Sequence, residues 1–168
     1  MPATVYLSLG SNQERERHLG AALAALRARF GVLRTSSVYE SEADGQPGAP
    51  PYYNLAVTFD TAEAPEAIQI ELKAIERQQG RVPTQRAAHC PLDIDFLFYG
   101  QQVLEQPGLV LPRPGLVDRA YVLAPLAELA PALRHPLTGE RVDELWMRRT
   151  PPPGLRRLSR EETSWPAA

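Results

Sequence analysis

Two hydrophobic periods alternate along the chain up to Gly100, and their order leaves few folds open. Val5, Leu7 and Leu9 alternate with Tyr6 and Ser8, the period of a half-buried strand, and the run stops at Gly10. Ser11 and Asn12 supply turn or cap chemistry. Leu19, Ala22, Leu23, Leu26 and Phe30 then fall at helical spacing, which predicts a helix over Arg15–Phe30 that Gly31 ends. Residues 32–40, VLRTSSVYE, are rich in β-branched types and read as one strand. Residues 42–51 hold two Gly and three Pro and read as a loop. Tyr52–Thr61 alternates again. Ile68, Leu72 and Ile75 make a second helical stripe behind Pro65, closed by Gly80. Residues 81–90 form a second loop and 92–99 a further strand.

Strand, helix, strand, strand, helix, strand is the split βαβ order. The expected fold is α+β, with a ferredoxin-like βαββαβ core: a mainly antiparallel sheet with helices packed on it. Beyond Gly100, residues 103–111 suggest a hairpin and 117–131 a short helix or two, a C-terminal extension of that core. Residues 1–147 are expected to be a single domain, and the Pro- and Arg-rich residues 148–168 a loosely ordered tail.

The 168 residues suffice for one core. A net charge of −2 gives no overall field calling for nucleic acid or an acidic membrane. Lys73 is the only lysine, so a fixed cation in a site is expected to be arginine, whose planar fork suits phosphate. One cysteine, Cys90, excludes an intrachain disulfide. The N-terminus lacks the charged-then-apolar pattern of a secretory signal, and no apolar run approaches the roughly 20 residues that span a bilayer. The expectation is a cytoplasmic domain of enzyme size, without nucleic acid or membrane, and a monomer.

The stretch PLDIDFLFYG raises the question of function. Asp93 and Asp95 are two apart on a strand, so both point to one face with Leu97 and Tyr99, while Ile94, Phe96 and Phe98 face the core. Two like carboxylates about 7 Å apart repel unless cations accompany them. Mg²⁺ answers that need, because it takes oxygen ligands and shares itself between carboxylates and substrate phosphates. A half-exposed strand with a polar outer face would look the same. Arg81 and Arg86 precede the strand, and Arg113 and Arg119 follow it; together they could neutralise a triphosphate. Neither a GxxxxGK[ST] loop nor a GxGxxG turn occurs. Tyr52 and Asn54 share one strand face and could stack on a planar ring and bond its edge, or Tyr52 could be an ordinary core aromatic. His18, His89 and His135 have no zinc-ligand spacing with Cys90.

LSLGSN, SSVYES, YYNLAV, IERQQGR, PLDIDFLFYG and DRAYVLAPLAELAP occur in that order over residues 5–131. Together they resemble the 6-hydroxymethyl-7,8-dihydropterin pyrophosphokinase family of folate biosynthesis. The resemblance implies transfer of pyrophosphate from ATP to the pterin hydroxymethyl oxygen, with release of AMP. It implies that Asp93 and Asp95 hold two Mg²⁺ ions and puts Arg119 on the nucleotide side as a catalytic group; Arg86 joins them as a catalytic candidate that, like Arg113, could compensate for an arginine missing at position 90. It places the pterin near Ser41, Asp44, Tyr52, Asn54 and Tyr121. ATP would meet Glu76, Arg81, Phe96, Arg113 and Arg119, and loops 44–51 and 81–90 would close over both substrates.

The chain departs from the family on the ATP side. Where the family reads GPRxLDLD, this chain reads AHCPLDID, with Cys90 in place of an arginine. Ala87 takes the place of a tryptophan, Pro83 and Thr84 replace basic residues, and the loop is one residue shorter. Arg113 stands where a histidine is usual. The expectation is an active but slow enzyme. A binding relative that has lost catalysis and a metal-dependent phosphohydrolase are the competing readings.

Overall fold

In the computed structural model, which describes residues 2–43, 47–82 and 89–163, the first alternating run becomes β1 (Ala3–Ser11). The first stripe becomes α1 (Arg15–Phe30), burying Leu19, Ala22, Leu23 and Leu26. Gly31 ends it at φ 88°, a left-handed conformation that a side chain would strain, and its N–H returns to the Arg27 carbonyl at 2.9 Å.

The single strand expected over residues 32–40 is two: β2 (Arg34–Thr35) and β3 (Tyr39–Ser41), both antiparallel to β4 (Tyr52–Thr61). Ser36 causes the break. Its hydroxyl accepts the Ala56 N–H at 2.9 Å and donates to the Ser37 carbonyl at 2.8 Å. A side chain thus substitutes for backbone in the ladder, and the edge gains one residue over β4 between the Thr35–Val57 and Tyr39–Asn54 pairs.

The second stripe is α2 (Pro65–Gln78), followed by β5 (Asp93–Tyr99). The sheet runs β5–β1–β4–β3, every pair antiparallel, with β2 also on β4. This is the expected α+β arrangement. Helices α1 and α2 cover one face and bury Leu7, Leu9, Leu55, Val57, Ile94 and Phe96 against Leu23 and Leu72.

After the hairpin β6 (Leu104–Gln106) and β7 (Leu109–Leu111), α3 (Ala120–Leu129) and α4 (Val142–Met147) pack on the other face. Leu97 and Phe98 meet Val122, Leu123, Leu126 and Val142 there. Phe98 was expected beside Ile94 and Phe96. A bulge corrects this: β1 pairs Tyr6 with Phe98 and Leu7 with Phe96, so Leu97 is extra and the faces exchange after it. Tyr99, not Phe98, rejoins the first core, its ring edge-on to Phe96 at 6.5 Å.

The C-terminal segment also differs from expectation. Arg156–Arg157 forms β8 on the free edge of β3, and the next residue, Leu158, donates its N–H to the Val38 carbonyl at 2.8 Å. Leu158 is 5% exposed and belongs to the first core. One leucine among arginines anchors the strap, which Arg157 reinforces by pairing with Glu128 at 3.3 Å. Leu158→Ala is expected to cost about 2–3 kcal/mol, read as a lower urea midpoint with an unchanged slope.

The second face of the sheet is only half covered. Tyr6, Thr58 and Phe98 lie at its covered end, where the α3 core is built. Farther along the same strands, Ser8, Gly10, Asn54 and Asp93 project from this face toward a cleft rather than a helix. The sequence encodes this directly: small and polar residues replace the apolar ones where no helix lies above.

Candidate active site

The cleft has a volume of about 270 Å³, and its walls come from β1, β3, β4, β5 and the start of α3. Strand pairing sets its floor. Gly10 lies opposite Asn54 on one side and Asp93 on the other, so the ring-binding candidate and the carboxylate candidate flank one glycine. A Cβ on Gly10 would stand 2.8 Å from Asn54 Oδ1 and 3.6 Å from the Tyr52 ring. Asn54 is 3% exposed, and its Nδ2 donates to Ser41 Oγ at 2.8 Å across the β3–β4 pair. That bond fixes the amide's orientation and leaves its carbonyl oxygen toward Gly10.

Asp93 and Asp95 both line the cleft, two residues apart on β5 as the alternation predicts. Arg81 Nη1 stands 3.6 Å from Asp93, and Arg113 Nη2 3.2 Å from Asp95. Asp95 is 7% exposed. Burial first, and Asp93 second, push its carboxyl up to about 6, while Arg113 and Arg119 pull it back. Burial outweighs the ion pair at 3.2 Å, so the net direction is upward.

Among the described residues no group of three or more His, Cys, Asp and Glu side chains converges on a metal position. Two carboxylates in an open cleft suit a hard divalent cation that completes its shell with water and phosphate oxygens.

The structure brings together Ser41, Tyr52, Asn54, Arg81, Arg119 and Tyr121 around the two aspartates. It places other expected site residues differently. Phe96 turns its side chain into the first core, away from the cleft, as strand alternation requires one position after Asp95. Glu76, 4% exposed, sits behind β5: its Oε2 accepts the Ile94 N–H at 2.8 Å and its Oε1 pairs with Lys73 at 3.1 Å. It holds the backbone between the two aspartates rather than lining the cleft. Arg113 reaches the site from outside the cleft wall through Asp95. Asp44 and Arg86 lie outside the described residues, as do Pro83, Thr84 and Ala87.

Ser8, Gly10, Glu42 and Ala43 also line the cleft and were not anticipated. Ser8 and Gly10 carried a legible signal, since both fall on the solvent-side phase of β1's alternation beside two aspartates' strand. Cys90 lines it too, and is 2% exposed. Its backbone is tied to β1 by Asn12, whose Oδ1 accepts the Cys90 N–H at 2.7 Å and whose own N–H donates to the Cys90 carbonyl at 3.0 Å. The Arg81 guanidinium contacts the thiol. Burial nevertheless pushes the thiol up to about 11, so at neutral pH it is uncharged and no nucleophile.

The site is thus an open face of an antiparallel α+β sheet that sets two carboxylates and arginines beside Tyr52 and Asn54. The chain belongs to the 7,8-dihydro-6-hydroxymethylpterin-pyrophosphokinase (HPPK) family, whose model matches residues 6–131. It is 38% identical over 157 residues to a 2-amino-4-hydroxy-6-hydroxymethyldihydropteridine pyrophosphokinase of Pseudomonas aeruginosa, covering 92% of this chain and 96% of that protein. It is 35% identical over 138 residues to a folic acid synthesis protein of Pneumocystis carinii, covering 80% of this chain but only 18% of that protein. Among solved structures, the HPPK-DHPS of Plasmodium falciparum with pteroate superposes with a TM-score of 0.72 at 15% identity, over 88% of this chain and 42% of that one. This chain therefore corresponds to one part of those larger proteins and to nearly the whole bacterial enzyme.

Proposed function

We propose that the chain transfers the terminal pyrophosphoryl group of ATP to the hydroxymethyl oxygen of 6-hydroxymethyl-7,8-dihydropterin, releasing AMP. The observation that carries this reading is the shared floor of the cleft. Gly10 separates the Asn54 amide from Asp93 by a single position on each neighbouring strand, so a ring held at Asn54 lies beside phosphates held at the aspartates. Family membership supplies the substrates. We propose that the chain works on small molecules as a monomer. The lone, uncharged cysteine fits a reducing, cytoplasmic compartment.

Asn54, held by Ser41, presents its amide to the pterin edge, and Tyr52 and Tyr121 wall the ring. Asp44 joins them in this reading. The hydroxymethyl oxygen attacks the β-phosphorus; the bond from that phosphorus to the oxygen it shares with the α-phosphate breaks, AMP leaves with that oxygen, and the alcohol proton is lost to solvent. Such a transfer needs positioning and charge neutralisation more than a strong base. Arg81, Arg113 and Arg119, with Arg86, supply fixed positive charge to the phosphates. Two Mg²⁺ ions, with Asp93 and Asp95 as ligands, would supply the remaining charge. Glu76 keeps β5 in place beneath them.

Phosphorus NMR of protein, ATP, Mg²⁺ and the pterin tests the reading. A diphosphate monoester should grow as ATP falls; inorganic phosphate alone would reject transfer in favour of hydrolysis. Gly10→Ala is expected to raise the pterin KM about tenfold or more, because the new methyl displaces the Asn54 amide from its bond to Ser41. The KM for ATP should change much less.

A further inference from the structure

Arg113 is held in two different ways at its two ends. Its backbone is fixed: the bulge at Leu97 leaves that residue out of the β1 pairing, and the Leu97 carbonyl accepts the Arg113 N–H at 2.9 Å. Its guanidinium is not enclosed. The Arg113 side chain is 41% exposed, whereas the side chain of its partner Asp95 is 10% exposed. A long side chain with an anchored base and an open tip therefore reaches down onto a buried carboxylate at 3.2 Å. That carboxylate is one of the two that would hold a cation. Arg81 makes a looser contact of the same kind with Asp93 at 3.6 Å, but its Nη1 is also bound to the Leu92 carbonyl at 3.3 Å and to the Cys90 thiol. Of the two, Arg113 is the one whose described side-chain partner is the carboxylate alone.

We propose that Arg113 is an exchangeable counter-ion of Asp95: it neutralises the carboxylate while no cation is bound, and is released to the substrate phosphates when one is. This rests on the pyrophosphokinase reading of the cleft. A cation and a guanidinium compete for the same oxygen, so the arginine weakens binding of a bare cation. ATP removes the penalty, because its phosphates give the displaced guanidinium a new partner within reach of the same anchored backbone. The consequence is coupling: cation and nucleotide each favour the other's binding, by the same factor in both directions. The arginine would thus act at the stage of assembling the site, in a chain whose position 90 carries no charge.

The test is Mn²⁺ binding, measured by electron paramagnetic resonance with and without a non-hydrolysable ATP analogue. Removing one charge-assisted bond predicts that Arg113→Gln binds Mn²⁺ alone about tenfold more tightly than the parent. It also predicts that the gain in Mn²⁺ affinity on adding the analogue shrinks by a similar factor. Arg113→Lys, which keeps the charge, should stay near the parent and controls for disruption of the β5–β7 region. Arg113→Gln with Mn²⁺ affinity equal to or below the parent in the absence of nucleotide would overturn the proposal, as would undetectable binding to both. Asp95→Asn separates the two layers of the argument. If it retains full Mn²⁺ affinity in the presence of the analogue, the carboxylate is not a cation ligand and the reading of the cleft fails.

Discussion

Asp93→Ala combined with Asp95→Ala is expected to lower pyrophosphoryl transfer at least about a thousandfold, roughly 4 kcal/mol of transition-state stabilisation, while leaving a folded protein. The loss is large because both carboxylates serve one charge problem. The transferring group is surrounded by phosphate oxygens, and the arginines of the cleft alone do not balance them. The fold survives because β5 is held by other means. Its backbone pairs with β1 from Val5–Tyr99 to Gly10–Asp93, Glu76 holds the Ile94 N–H, and Ile94, Phe96 and Leu97 are buried on either side. Turnover of the double variant within tenfold of the parent, with a native-like circular dichroism spectrum, would contradict the assignment.

Asp95→Asn is expected to do two opposite things. It should cost most of the activity, and it should stabilise the cation-free protein at neutral pH by on the order of 2 kcal/mol. The sign follows from the direction of the shift. Burial and Asp93 raise the Asp95 carboxyl from 3.8 to about 6 in the folded state. Folding therefore favours the protonated form. That contribution is present in full below the ordinary value and is lost as pH rises through about 6. At pH 7 the parent carries a buried charge that the asparagine variant does not. The variant's advantage should be largest at pH 7 and vanish near pH 4, measured as urea midpoints in the presence of a chelator. Equal midpoints at every pH, or an advantage that grows toward acid, would show that Asp95 is not the strained group.

Much of this architecture is legible in the sequence because it depends on local period. The two helical stripes end at Gly31 and Gly80, and the spacing of Asp93 and Asp95 puts both in one cleft whatever the neighbouring strand does. What escaped depends on partners distant in sequence. Phe98 changes face because β1 supplies one residue fewer than β5 between Tyr6 and Leu7, and no feature of DIDFLFY announces that. The strand over residues 32–40 divides because the Ser36 hydroxyl enters the ladder of β4. The apolar anchor of the C-terminal strap is Leu158, a residue with too few apolar neighbours in sequence to form a pattern. Glu76 reads as a nucleotide contact by resemblance, yet its burial and its bond to Ile94 make it a support for the strand. Ser8 and Gly10 were readable: two small residues on the open phase of β1 mark the place where something other than a helix must fit.

On the side of the cleft proposed to take ATP, the resemblance expects an arginine where this chain has Cys90, a buried and uncharged thiol. Arg81 contacts the Cys90 thiol and stands beside Asp93, Arg113 stands beside Asp95, and Arg119 lines the cleft. A missing transition-state contact lowers turnover more than binding, so the expected enzyme is slow rather than unable to bind. The most direct measurement is chromatography of the nucleotides after the protein is incubated with ATP and Mg²⁺, with and without hydroxymethyl-dihydropterin. AMP that appears only when the pterin is present is the predicted result, at any rate above background. ADP, AMP formed without the pterin, or bound but unchanged ATP would contradict pyrophosphoryl transfer by this cleft.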